Sequence, residues 1–182
     1  VPENLNGKGV FAMGLHVVLL EPEIPQNTGN IARTCAALGA VLHLVHPLGY
    51  TITDRLLKRA GLDYWHLLDI RHHASTSSFL ELHGAAPLWF FTTKAPRTYA
   101  DVRYGQEAFL VFGKESAGID ESILIRYPRQ CVRIPMRADA RSLNLSNSVA
   151  IGAFEYARQH LFAGLQEGGE LHRLAWPQAD LG

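Results

Sequence analysis

The stretch from Leu15 to Val45, LHVVLLEPEIPQNTGNIARTCAALGAVLHLV, carries a strand, a loop, a helix and a second strand in immediate succession. Leu15–Leu20 is a nearly unbroken apolar run, the pattern of a strand covered on both faces. Glu21–Gly29, with its Pro and Asn residues, reads as a loop. A helix is predicted from about Asn30 to Leu38, because Ile31, Cys35 and Leu38 fall at i, i+4 and i+7 on one stripe. Gly39 stands where a left-handed terminator is expected. At about 100° per residue, Arg33 lies about 200° from Ile31, pointing off the stripe and away from the core. Val41–Val45 closes a β-loop-α-β unit.

The same alternation continues outward. Thr53–Ala60 and Ser75–His83 read as short helices, Leu88–Phe91 and Phe109–Phe112 as buried strands, and Asp120–Ile125 as a helical turn. Cys131–Ile134 reads as a last strand. A final helix is expected from Ser146, an N-cap residue, to about Leu161, with Ala150, Phe154, Ala157 and Leu161 as its apolar stripe. Strands alternating with helices predict an α/β fold, a mostly parallel sheet covered by helices. Residues 1–12 are expected to be a leader remnant, 13–164 a single domain and 165–182 a tail.

Composition narrows the class. Of 182 residues, 47% are hydrophobic and 19% charged, which fits a globular domain rather than a disordered chain. Lys+Arg and Asp+Glu each number 17, so an indiscriminate coat for nucleic acid is excluded, though a local basic surface is not. Cys35 and Cys131 are far apart and in no C-x-x-C pair, which favours a reducing cytoplasm over a secreted disulfide scaffold. No apolar run is long enough for a membrane span.

Four segments look built for chemistry. In Glu21–Arg33, the polar residues Asn27, Thr28, Asn30 and Arg33 surround a helix N-terminus, where free N–H groups attract anions; a capped helix with a solvated arginine is the plainer alternative. Phe109–Gly118 is a buried strand ending in Gly113, which lets a ligand approach the backbone but also suits a simple turn. A P-loop is excluded, because its glycine and hydroxyl positions hold Ala108 and Glu115. In Ile134–Asn147, Ser142, Asn144, Ser146 and Asn147 crowd one helix start, more than one cap requires, and are expected to tie other segments or a ligand. Arg55, Lys58 and Arg59 beside Tyr64 and Trp65 suit RNA, with phosphate contacts next to stacking rings, or else a solvated helix face beside core aromatics. His72-His73 invites a metal, yet no Cys, Asp or Glu set stands at ligand spacing with it, so none is expected.

Together these segments resemble the SpoU branch of the SPOUT superfamily of knotted methyltransferases, in particular the small single-domain tRNA 2′-O-methyltransferases of the wobble position. The first motif is similar to Glu21–Arg33, the second to Leu110–Glu115, the third to Ile134-Pro-Met136 with Ser142–Asn147. Arg59–Tyr64 and Phe91–Lys94 are also similar, and the likeness runs from about Leu15 to His160. It implies a C-terminal deep trefoil knot, which chain-topology rules alone argue against. It implies S-adenosylmethionine held by Phe91, Gly113, Ile134, Ser142 and Asn144, without a metal. It further implies a homodimer with a site shared across the first and last helices, and a partner in the anticodon region of tRNA bound through Arg55, Arg59 and Tyr64.

The expected reaction is attack of a ribose 2′-oxygen of a wobble cytidine or modified uridine on the methyl of S-adenosylmethionine. Arg33, a permanent cation and poor base, is expected to stabilise the developing alkoxide, with Asn30 orienting it. The resemblance implies a tyrosine where this chain has Phe154, so the protein either works without that hydroxyl or uses Tyr156 instead. The alternatives are a SpoU enzyme for another tRNA or rRNA nucleoside, and a silent RNA-binding module.

Overall fold

The computed structural model describes residues 14–51, 68–174 and Trp176. Among them, six strands make one sheet: β1 (Gly14–Leu20), β2 (Val41–Val45), β3 (Ile70–His73), β4 (Leu88–Phe91), β5 (Glu107–Phe112) and β6 (Cys131–Val132). Their order is β3-β2-β1-β5-β4-β6 and every neighbouring pair is parallel. Four helices cover it: α1 (Pro25–Leu38), α2 (Thr76–His83), α3 (Glu121–Leu124) and α4 (Leu145–Gln159). Side chains alternate across each strand. Leu15, Val17, Leu19, Leu42, Leu44, Leu110 and Phe112 pack on one face with Ile31 and Cys35 of α1 and Val149 and Ala153 of α4. Val18, Leu20, Val45, Phe90, Phe109 and Val111 pack on the other, with Phe79 and Leu80 of α2 and Leu124 of α3. Cover on both faces is why these strands are apolar throughout.

The β1–α1–β2 unit holds, with Gly39 at φ 65° closing α1. The helix begins earlier than its stripe predicts, at Pro25 rather than Asn30, so half of the expected loop is helical. Pro25 sits where a missing N–H costs nothing and its fixed φ is already helical. Strand β3 is absent from the sequence reading because IRHH is a polar edge strand without an apolar period. Strand β6 stops at Val132, since Arg133 leaves β4 to bridge Thr98. The helix expected over Thr53–Ala60 lies outside the described residues.

Helix α4 corrects two expectations. Its cap is Asn144 rather than Ser146: the Asn144 side chain accepts from the N–H groups of Ser146 and Asn147. Its buried face carries Val149, Gly152, Ala153, Tyr156 and Ala157, so of the expected stripe only Ala157 is fully buried. Phe154 is 48% exposed and Leu161 82%. Small residues decide this, because a Cβ at Gly152 would stand 2.8 Å from the Phe91 ring and the helix therefore seats on its glycine side. None of the described helices is long and apolar enough to cross a membrane.

Candidate active site

Parallel sheets expose strand ends and unpaired backbone at their carboxyl edge, where α/β proteins bind ligands. Here a cavity of about 450 Å³ opens beyond the ends of β4 and β5. Phe91, Gly113, Ile134, Ser142 and Asn144, which the sequence assigns to a cofactor, all line it. Thr92, Thr93 and Lys94 follow β4 along its wall, and Met136, Leu143 and Leu145 add apolar surface. Phe91 is nearly buried and stacks on Phe112 at 4.7 Å between centroids.

Two glycines shape the floor. A Cβ on Gly113 would lie 2.2 Å from the carbonyl carbon of Gly118, so only glycine allows the two segments to touch. Gly118 itself sits at φ +70°, which turns the chain back to bridge Lys114.

Two carboxylates and an asparagine amide clasp the three motif segments together. The Glu115 carboxylate accepts from the backbone N–H of Glu23 (2.8 Å), from that of Ile24 (3.3 Å) and from Asn27 Nδ2 (2.9 Å). In return, Ser116 donates its N–H and hydroxyl to the Glu23 carboxylate at 2.9 and 2.8 Å, which holds that carboxyl below its ordinary range. Asn144 Nδ2 donates to Asn27 Oδ1 at 3.0 Å, while its own Oδ1 accepts from the N–H and hydroxyl of Ser146. The expected anion at the start of α1 is thus the protein's own Glu115. The expectation that Ser142–Asn147 ties other segments holds for Asn144. Glu23 and Glu115 went unassigned, and Asn27 was read only as a polar residue at a helix start, because partners some 90 residues apart leave no local pattern.

Nearby charges are paired as well. Lys114 bonds Glu21 at 2.9 Å, which raises the lysine above its ordinary value, and Lys94 bonds Glu121 at 2.9 Å.

The residues expected to act on substrate are placed differently. Asn30 and Arg33 are exposed on α1 and are not among the cavity-lining residues, although Asn27, one turn earlier, is. Tyr156 does not substitute for a reactive hydroxyl: it is 1% exposed and donates to the Gln106 carbonyl. Arg55, Arg59 and Tyr64 lie outside the described residues. The fold also gathers His43, His73 and His83, which the sequence did not connect, with one nitrogen of each within 4.8 Å of the others.

Comparison with known proteins agrees with this geometry. A tRNA (cytidine(34)-2′-O)-methyltransferase of Photorhabdus asymbiotica is 47% identical over 82% of this chain and 96% of its own length. A solved structure described as giving insights into the 2-OH methylation of C/U34 on tRNA superposes with a TM-score of 0.76 at 44% identity, over 81% of this chain and 97% of that one. An AdoMet-bound rRNA methyltransferase from Sinorhizobium meliloti shares the fold at a TM-score of 0.72 and 28% identity, over 81% of this chain and 56% of that one. Residues 14–154 match the SpoU rRNA Methylase family, with the glycine-floored cavity and all three clasped motifs inside that span; the chain is a member of this family and has its SPOUT fold.

Proposed function

We propose that this protein is a tRNA 2′-O-methyltransferase that modifies the ribose of the wobble-position pyrimidine with S-adenosylmethionine as methyl donor. The observation that carries this reading is the convergence of Phe91, Gly113, Ile134, Ser142 and Asn144 on one cavity. Relatives named for cytidine 34, matching over most of both chains, support the choice of nucleotide.

The cavity suits the cofactor on its own chemistry. Its volume is that of a small-molecule site, with apolar walls at Ile134, Met136 and Leu145 and strand-end backbone at 92–94 for polar contacts. When bound, S-adenosylmethionine supplies an electrophilic methyl on a sulfonium centre. The protein's part is to align the ribose hydroxyl and to stabilise its developing charge. Arg33 serves that role as a fixed cation that also holds the adjacent phosphate, and Asn30 orients it. Because both lie outside the cavity lining of their own protomer, a homodimer completes the site by bringing α1 of one protomer to the cavity of the other. The exposed Phe154 of α4, which packs beside α1, fits that interface. Arg55, Arg59 and Tyr64 bind the anticodon arm.

Incubation with total tRNA and methyl-labelled S-adenosylmethionine, followed by nuclease digestion and mass spectrometry, tests the reading. Label is expected on the 2′-oxygen of nucleotide 34. Label on a base, on another ribose or on rRNA alone rejects the substrate, and no label at all rejects the activity.

A further inference from the structure

We propose that His43, His73 and His83 form a binding site for one zinc ion, separate from the methyl-transfer cavity. The three come from β2, β3 and the last residue of α2, and one nitrogen of each lies within 4.8 Å of the other two. Strand alternation separates the adjacent pair: His73 turns towards α2, whereas His72 turns to the opposite face and meets His46 at 3.0 Å. Phe79 and Phe109 wall the cluster, with Phe79 5.0 Å from the His73 ring and Phe109 5.2 Å from that of His83. His43 is fully buried, while His73 and His83 are partly exposed and leave a route from solvent.

The surroundings orient the first ligand. The Glu107 carboxylate lies 3.7 Å from His16 Nε2 and favours a proton there. His16 Nδ1 is then an acceptor for His43 Nε2–H, 2.9 Å away. That fixes the His43 lone pair on Nδ1, which faces His73 Nε2 at 2.8 Å. An acceptor on the other ring nitrogen of a ligating histidine sets its tautomer and ring orientation at metal sites, and here His16 fills that place for His43. Burial first, then repulsion from neighbouring histidines, pushes His43 down to about 3 and lowers His73, while burial and then Arg71 lower His83; the neutral imidazole is the form that ligates. A hydrogen-bonded chain alone accounts for His16, His43 and His73. It leaves the His83 imidazole with ring contacts and, among the described residues, no hydrogen-bond partner. Zn–N bonds of about 2.0–2.1 Å set tetrahedral nitrogens about 3.3 Å apart, so His43 and His73 part slightly and His83 moves in. An all-imidazole set favours zinc over the oxygen-seeking magnesium and calcium, and three such ligands leave a fourth position for water.

Metal-stripped full-length protein titrated with Zn²⁺ is expected to bind one ion per chain, and Co²⁺ to give the visible bands of a tetrahedral site. His73→Gln and His83→Ala should each weaken Zn²⁺ binding about a hundredfold or more, exceeding the roughly tenfold to hundredfold loss expected for the orienting His16→Gln. His72→Ala, on the opposite face, should leave it within about twofold. His83→Cys should retain the ion and add a thiolate-to-cobalt charge-transfer band, which a purely structural histidine cannot produce. No saturable binding, binding undiminished in both His73→Gln and His83→Ala, or a His83→Cys spectrum without that band each overturns the site. None of these readouts depends on methyl transfer.

Discussion

Arg33 and Tyr156 illustrate how position decides a residue's chemistry. Arg33 leaves the buried α1 stripe of Ile31 and Cys35, so its side chain contributes little to the core. Arg33→Ala is therefore expected to change stability by well under about 1 kcal/mol. Loss of the proposed catalytic cation should lower turnover about a hundredfold or more with S-adenosylmethionine affinity unchanged. Single-turnover kinetics with calorimetry on the same variant checks both, and near-normal turnover would remove Arg33 from the mechanism. Tyr156 is the opposite case: burial raises its phenol, and its hydroxyl is committed to the Gln106 carbonyl. Phe154, by contrast, presents an apolar ring to solvent.

Two elements end where their neighbours require it. Strand β5 terminates at Gly113 because the Gly118–Ile119 backbone occupies the space of a side chain. Gly113→Ala should cost about 1–3 kcal/mol by overpacking, since its neighbours are backbone and cannot rotate away. Because that contact is the cavity floor, the same change should abolish cofactor binding, which thermal melts and calorimetry will show. The sheet face under α2 has a different sensitivity. His16, His43, His73 and His83 all titrate below the ordinary histidine value of 6.5, chiefly through burial, with Arg71 adding repulsion and Glu107 opposing it at His16 and His83. The unfolded chain then binds more protons than the native one between those lowered values and 6.5, so stability rises with pH across that window, is lost as pH is lowered through it, and is fully present above it. Thermal melts in chelator should show the midpoint dropping on acidification below 6.5 and flat above; a His43→Gln variant should lose part of that slope.

For the whole molecule, the proposed homodimer rests on exposed Phe154 and on Arg33 standing outside the cavity lining of its own protomer. Phe154→Arg is expected to give monomers by sedimentation, with S-adenosylmethionine still bound and methyl transfer lost; an active monomer rejects the shared site. A chain with equal numbers of acidic and basic residues binds RNA only where its arginines gather. Tight tRNA binding should therefore weaken steeply with salt. Replacing Arg55 and Arg59 together by Gln should raise KM for tRNA and flatten that dependence, with cofactor affinity unchanged. An unaltered salt slope would move the RNA surface elsewhere.

The sequence by itself determined the β1–α1–β2 unit and the parallel α/β class, each legible because its signal is local: an apolar run, or a helical stripe closed by Gly39. Phe91, Gly113, Ile134, Ser142 and Asn144 were singled out by resemblance to family motifs, and they share one cavity. Tertiary structure decided what depends on distant partners. The clasp around Glu115 joins residues some 90 positions apart, and no period or composition records such a pair. The seat of α4 was settled by Gly152 against Phe91 rather than by its apolar count, which is why the buried face is not the one its large residues suggested. His43, His73 and His83 became neighbours only when β2 and β3 paired and α2 folded back over them, because proximity across a parallel sheet is a property of strand order, not of spacing along the chain.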